Sequence, residues 1–314
     1  MIRVFVVCHK PTYVLDNELL HPIQVGAKLA KERIPGMLYD DTGENISQKN
    51  PMYCELTAQY WAWKNAEAEY YGFFHYRRYM SFDKVYPVDY NGKLKKKHRC
   101  CPYEELDDIR ESQEGYGLEE EQMRKIIECY DILTVLREKI NTTVYRQYCQ
   151  YHNHQALDNI IEILKKKYPE YAEAADDYMN SKEIYYMNMF IMKKPLFEEY
   201  ASWLFNILES YEKTDDYVKL QGQQKRLMGY LGERLFGIFY TYQRNKGVLC
   251  AELPYLKFYN TEIDKNKEVE NQTNIRTFRL KPTKYEITID MRKINRAFPA
   301  GSRRRILLRN IFLR

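Results

Sequence analysis

Tyr70-Tyr71-Gly72-Phe73-Phe74-His75-Tyr76-Arg77-Arg78-Tyr79 is the stretch that decides how this chain folds. Its first half is continuously apolar, the pattern of a strand buried on both faces of a largely parallel sheet. It then ends abruptly in a histidine and two arginines. Ligands of open α/β sheets bind just beyond the carboxyl ends of the strands, so cations fixed there predict an anionic ligand. Arg77 and Arg78 can fork onto phosphate oxygens while His75 donates a further hydrogen bond, and such charge-assisted bonds are about twice as strong as neutral ones. The competing reading follows from the alternation of side chains along a strand: one arginine pairs with a core carboxylate and the other is solvated.

Working outward, Ile2 to Val7 is a second apolar, β-branched run, and His9 and Lys10 fall at its carboxyl end. Two strand ends carrying positive residues predict one shared anionic or nucleotide site. Glu55 to Asn65 is expected to be a helix with Leu56, Tyr60, Trp63 and Ala66 on its apolar face, leaving Trp61 on the flank, either packed on the sheet or covering a ligand. A helix from Glu119 to Cys129 leads into a strand from Asp131 to Leu136, which restores the strand, helix, strand rhythm. Further elements are a helix over Val144 to Lys167, a buried strand over Tyr185 to Met192 and a helix over Pro195 to Tyr211. The strand carries one polar residue, Asn188, whose amide must bond to the backbone or to a substrate hydroxyl.

The length of 314 residues and 45% hydrophobic content supply a substantial core, and a net charge of +5 with both signs mixed argues against a nucleic-acid binder. Seven cysteines without a C-x-x-C pair give no disulfide framework, as in a reducing cytosol. The apolar start is too short and too strand-like for a signal peptide or a membrane span. His98, Cys100 and Cys101 lie close together but lack the further ligands a zinc site needs. Asp40 and Asp41, in a turn-rich segment, are either solvated or ligands for magnesium or manganese. The basic run from Lys93 to Arg99 is expected in a loop, solvated or in contact with an anionic acceptor. His152 and His154, near the start of the Val144 helix, are structural or donate to a substrate.

Lys225 to Arg244 is the helix with the most unusual composition. Gly229, Glu233 and Gly237 are spaced to share one face, and with Gly232 these glycines cost about 1 kcal/mol each relative to alanine. Close approach of a backbone or a ligand would explain them. Glu233 is then either a general base, with Arg234 as an anion partner, or an acid salt-bridged at the edge of a tight helix packing.

Polar composition past Leu256 predicts a main domain over 1–256 and a C-terminal extension over 257–314. Residues 303–314 carry Leu307, Leu308, Ile311 and Phe312 among arginines, an amphipathic end suited to an anionic membrane surface or to docking on protein.

Asp41-Thr42-Gly43 with Asn45-Ile46-Ser47, Tyr53-Cys54-Glu55-Leu56-Thr57, Tyr60 to Asn65, Gly72 with His75 to Tyr79, Asn188 to Met192, and Gly232-Glu233-Arg234-Leu235 together resemble the landmarks of one family. It is the bacterial capsular and exopolysaccharide glycosyltransferase family long labelled a domain of unknown function, and the resemblance spans about residues 1 to 250. That resemblance implies a GT-A-like, Rossmann-type mixed sheet flanked by helices, with a helical C-terminal extension. It implies an inverting transfer of a sugar, with galactofuranose the expected one, from a UDP-sugar to a glycan or an undecaprenyl-type lipid-linked acceptor. Localisation is expected in the cytoplasm, with peripheral contact at the inner face of the membrane. Combined with the strand-end and helix readings above, His9, Lys10, Asp41 and Asn45 are assigned to the nucleotide, His75, Arg77 and Arg78 to the diphosphate, Glu233 to catalysis, and Trp61, His154, Asn188 and Arg234 to the acceptor or sugar. GT-A enzymes usually hold the diphosphate through a metal on an Asp-x-Asp motif, and this strand end reads His75-Tyr76-Arg77 instead. A metal-independent reaction is therefore expected, with manganese or magnesium as the alternative. The competing class is a non-catalytic glycan- or nucleotide-binding module. A phosphate-transferring enzyme is set aside for lack of a G-x-x-x-x-G-K-[ST] loop.

Overall fold

The computed structural model describes residues 1–95, 102–110, 115–220 and 225–262, with the backbone of 275–279 and 286–290. The strands are β1 (Ile2–Cys8), β2 (Leu20–Gln24), β3 (Leu38–Tyr39), β4 (Tyr70–His75), β5 (Arg78–Met80), β6 (Tyr86–Val88), β7 (Tyr103–Asp108), β8 (Ile132–Val135), β9 (Glu138–Lys139), β10 (Glu183–Ile184), β11 (Phe190–Lys193), β12 (Cys250–Leu253) and β13 (Tyr255–Asn260). The helices are α1 (Asn50–Tyr53), α2 (Leu56–Asn65), α3 (Glu120–Ile127), α4 (Val144–Tyr151), α5 (His154–Lys167), α6 (Ala172–Asn180), α7 (Lys194–Glu212), α8 (Asp215–Leu220) and α9 (Leu227–Asn245).

An eleven-stranded sheet runs in the order β3-β2-β1-β4-β11-β8-β12-β6, and β5 leads from β4 through β13 to β7. β1 is parallel to β2 and β4, whereas β11 is antiparallel to both β4 and β8. This is the mixed sheet flanked by helices that was expected. The antiparallel insertion has a consequence for the site. It brings the amino end of β11 to the edge where β1, β4 and β8 present their carboxyl ends.

Apolar clusters cover both faces of the sheet. One holds Phe5, Phe73 and Phe190 under α2, α7 and α9; the other holds Val4, Val6, Phe74 and Ile191. β4 lies at the centre with Gly72 wedged between Val4 and Ile191, where a Cβ would come within 2.9 Å of each side chain. A run of bulky apolar residues needs that one gap for the strands on either side to fill.

Several local expectations change. The Tyr70–Tyr79 stretch is two strands, not one: the chain reverses over Tyr76-Arg77, and His75 pairs with Arg78. The expected strand over Tyr185 to Met192 contracts to β11, because Met187 (φ 78°) and Asn188 (φ 49°) are left-handed and cannot continue a ladder. The helix expected over Val144 to Lys167 breaks into α4 and α5, with Asn153 accepting the Ala156 N–H at 3.1 Å as the N-cap of α5. On α2 it is Trp61, 7% exposed, that enters the core, while Trp63 stacks on Phe205 at the margin. The expected loop past Asp83 contains β6 and β7, and His98, Cys100 and Cys101 lie outside the described residues. β13 carries the sheet to Asn260. Of the C-terminal extension, Ile275–Arg279 and Glu286–Asp290 form an antiparallel pair, and the amphipathic run 303–314 lies outside the described residues. Among the described residues no helix is long and apolar enough to cross a membrane.

Candidate functional site

The carboxyl ends of β1 and β4 place five cationic or titratable side chains in one neighbourhood. Arg77 lies 5.0 Å and Lys10 5.8 Å from the Tyr76 ring, and His9 meets the same ring edge-on at 5.0 Å. Burial and then the charges of Lys10 and Arg77, with a smaller contribution from Arg226, push the proton affinity of His9 down. The basic residues therefore feel one another. Among the described residues neither Arg77 nor Arg78 forms a salt bridge with an acid, so the core-paired reading does not describe them. Like charges gathered this closely, with no acid in direct ion-pair contact with Arg77 or Arg78 among the described residues, favour an anionic ligand.

His75 is held differently. Its Nε2 lies 2.8 Å from the Met187 carbonyl oxygen. Burial pushes its pKa down to about 4, helped by Arg78 and Arg226, so the ring is neutral at pH 7 and Nε2–H donates to that carbonyl. The Met187 N–H in turn donates to Glu233 Oε1 at 2.8 Å. Asn188, 1% exposed, donates its Nδ2 to Glu55 Oε1 at 2.7 Å and to the Gly229 carbonyl at 3.3 Å, while the Asn188 carbonyl accepts from Gln59 Nε2 at 3.3 Å. The left-handed pair Met187-Asn188 thus grips a histidine, two glutamates and helix α9 at once.

Among the described residues, the non-glycine positions with positive φ are Cys54, Met187, Asn188 and Arg226. All four border this cluster: Cys54 precedes Glu55, Arg226 caps α9, and Arg226 Nε donates to Cys54 Sγ at 3.3 Å. Backbone held in sparsely populated regions concentrates at functional sites because only dense surroundings can maintain it.

Glu233 is raised above the usual carboxylate range by burial and by the neighbouring Glu55, against the lowering pull of Arg234, the Met187 N–H and His75. Arg234, 2% exposed, donates to Gln147 Oε1 at 2.7 Å and approaches Glu233 Oε2 at 3.4 Å, between the rings of Tyr148 and Tyr186. The glycines flanking Glu233 serve packing. A Cβ at Gly229 would sit 3.3 Å from Cys54 Cβ and Sγ, and one at Gly237 would fall on the Tyr178 ring. Their absence of side chains lets α9 press against the Cys54–Glu55 bend and α6, which carries Glu233 up to Met187.

The other candidates stand apart. Asp41 is paired through both oxygens with Arg33 at 2.9 and 2.7 Å, and Asn45 closes its own turn onto the Asp41 and Gly43 carbonyls. Asp40 is buried and accepts from the Gly26 and Ala27 N–H groups and the Ser47 and Thr57 hydroxyls, a structural clasp rather than a metal ligand. Trp61 donates its indole N–H to Thr42 Oγ1 at 2.8 Å. His154 is exposed at the start of α5 with Asp158 at 3.4 Å, whereas His152 stacks on Tyr230 at 4.1 Å and feels the charge of Arg234. Among the described residues no group of three or more His, Cys, Asp or Glu side chains is arranged to hold a metal ion.

Sequence reasoning missed Glu55, Arg226, Gln147 and the backbone of Met187. Glu55 had a signal, as the acid inside Tyr53-Cys54-Glu55-Leu56-Thr57. Arg226 had none, since its place depends on a left-handed cap at φ 65°.

A family profile described as "Domain of unknown function (DUF4422)" matches residues 3–245. Among solved structures, the apo form of a protein described as the WbbM bifunctional glycosyltransferase is similar, with a TM-score of 0.72 and 33% sequence identity. The match covers 83% of this chain and 46% of that one, so the chain spans less than half the length of that protein. No curated protein matches the sequence.

Proposed function

The chain belongs to the DUF4422 family, and from that premise we propose that it is a glycosyltransferase acting on a nucleotide-sugar donor and a glycan acceptor. The observation that carries the reading is the gathering of His9, Lys10 and Arg77 at the carboxyl ends of β1 and β4, joined through the hydrogen-bond chain His75–Met187–Glu233 to a carboxyl group raised above its usual range by burial. Likeness to a bifunctional glycosyltransferase over 83% of the chain supports the same class.

Arg77, Arg78, His9 and Lys10, joined by Arg226, bind the diphosphate of the donor and stabilise it as it departs. Fixed cations do this without reorganising as charge develops. Glu233 removes the proton from an acceptor hydroxyl while that oxygen attacks the anomeric carbon, and the nucleoside diphosphate leaves from the opposite face with inversion. Arg234, tied to Gln147, keeps the carboxylate turned toward the acceptor. His75, neutral, serves as a brace for Met187 rather than as a direct phosphate donor. UDP is the proposed nucleotide, galactofuranose the proposed sugar, and a lipid-linked or oligosaccharide glycan at the inner face of the cytoplasmic membrane the proposed acceptor.

A panel of nucleotide sugars tests the reading by thermal shift and by donor hydrolysis or transfer, since a ligand that binds only the native state raises the melting temperature. Stabilisation by one of them, with slow release of its nucleoside diphosphate, is expected. Binding without turnover under any acceptor would make the protein a nucleotide-binding module.

A further inference from the structure

The proposed transfer leaves Glu55 without a role, and it is a buried acid without an ion-pair partner among the described residues. It is 8% exposed and has Asn188 Nδ2 as its short-range partner at 2.7 Å. Burying a carboxylate with so little compensation is unfavourable, and hydrophobic replacement would normally stabilise. The acid also sits just past a strained bend, Cys54 at φ 51° and ψ −128°. Two unfavourable features at one place point to a task.

That task is visible in what Glu55 joins. On one side lie Arg78 and Arg226, which favour its ionised form against the opposing effect of burial. On the other lies Glu233, whose hold on a proton Glu55 strengthens. Its hydrogen-bond partner Asn188 forms the second half of the turn whose first half grips Glu233 and His75. The charged and titratable groups facing it are Cys54 from its own bend, Arg226 and Glu233 from α9, Arg78 from β5 and Tyr200 from α7.

We propose that Glu55 is a positioning residue of the transfer site: its carboxyl group, bonded to Asn188, fixes the Met187-Asn188 turn that holds Glu233 and links the diphosphate-binding arginines to that base. This rests on the donor and base assignments above. Glu55 touches neither reacting atom. It holds the base in place and keeps it basic, at the expense of some affinity for the diphosphate.

Glu55→Gln separates charge from shape, because the amide oxygen still accepts from Asn188. With one anion fewer beside Arg78 and Arg226, UDP or inorganic pyrophosphate should bind about three- to ten-fold tighter in calorimetry. Glu233 should lose its proton more readily, so the acid limb of the kcat profile should move to lower pH by about half a unit or more, and the plateau rate should fall about three- to ten-fold with a weaker base. A merely structural residue would lower the melting temperature and the rate but leave the acid limb and the UDP affinity where they were, and that result overturns the proposal. Wild-type protein that binds neither UDP nor any other nucleoside diphosphate overturns the donor reading together with it. Should Glu55→Gln fail to fold, Glu55→Asp keeps the charge and loses the reach to Asn188; the acid limb should then stay while kcat falls about ten-fold, and an unchanged kcat overturns the proposal.

Discussion

Glu233 Oε1 accepts the backbone N–H of Met187 at 2.8 Å, a bond between residues 46 apart in sequence. A backbone donor neither titrates nor swings away, so it fixes the direction of the carboxylate. The second oxygen keeps only a long, 3.4 Å contact with Arg234. One oxygen anchored and one available is what a general base requires.

Glu233→Gln keeps the acceptor for Met187 and removes the affinity for a proton. Transfer should fall about 10²- to 10⁴-fold, with nucleotide affinity and melting temperature preserved. Steady-state kinetics beside calorimetry check this, and near-normal turnover would take Glu233 out of the role.

Arg77 and Arg78 should each matter for the donor. Arg77→Ala and Arg78→Ala should weaken UDP binding by about ten-fold or more, the range for lost hydrogen bonds to a charged group. Arg78→Lys should fall in between, because a point charge remains and the planar fork does not. The slope of affinity against salt concentration should flatten in each alanine variant. Unchanged affinity in both would show that the sheet edge does not hold the diphosphate.

Much of the fold was legible because it rests on apolar periodicity. β1, β4, β8, α3, α7 and α9 all lie where hydrophobic runs place them, and the cations after β4 follow from where that run stops. The site was legible only in its charged members. Asn188 was read as a strand residue because its neighbours Tyr185 to Met192 are apolar, yet its left-handed backbone makes it half of a clip. Nothing in the side-chain pattern reports a main-chain N–H, so Met187 could not be seen. The sequence assigns Asp41 and Asn45 to the nucleotide, but a turn-rich acidic loop reads the same whether its side chains face a ligand or, as here, Asp41 pairs with Arg33 and the Asn45 amide donates to the loop's own carbonyls. The glycines of α9 called for close approach, and it is Cys54 and Tyr178 that approach.

Cations in place of carboxylates at the end of β4 lead to a prediction about metals. Donor hydrolysis or transfer should persist in excess chelator, since Arg77, Arg78 and Lys10 supply the compensating charge. Activity lost on chelation and restored by manganese would overturn this assignment.

The raised proton affinities of Glu55 and Glu233, due first to burial, bear on stability. A group whose pKa is higher in the folded than in the unfolded chain contributes stability that is fully present below the unfolded value. That contribution is lost as pH rises through the folded value. Toward about pH 8, well above the ordinary carboxylate range, that contribution is reduced and burial of the two groups weighs against the fold. Glu55→Gln and Glu233→Gln should therefore melt at or above wild type there, and the difference should shrink toward about pH 4. Melting curves across that range decide; variants that melt well below wild type at pH 8 and converge with it in acid would reverse the sign.

The two glycines beside Glu233 separate stability from positioning. Gly237→Ala would put a Cβ into the Tyr178 ring, whose hydroxyl accepts the Tyr185 N–H at 3.2 Å, so the ring must move and a buried bond goes with it. A loss of about 1–3 kcal/mol is expected, the usual cost of overpacking. Gly229→Ala meets Cys54 at 3.3 Å, a contact that needs only a few tenths of an ångström of relief, and the alanine returns about 1 kcal/mol of helix propensity. Its melting temperature should therefore stay close to wild type. The relief, however, must come from α9 sliding off the Cys54–Glu55 bend, which carries Glu233 away from Met187 and lowers kcat about ten-fold or more. Denaturant unfolding and kcat measured on the same two variants test the distinction. If Gly229→Ala folds and turns over like wild type, the close packing of α9 on Cys54 does not set the position of Glu233.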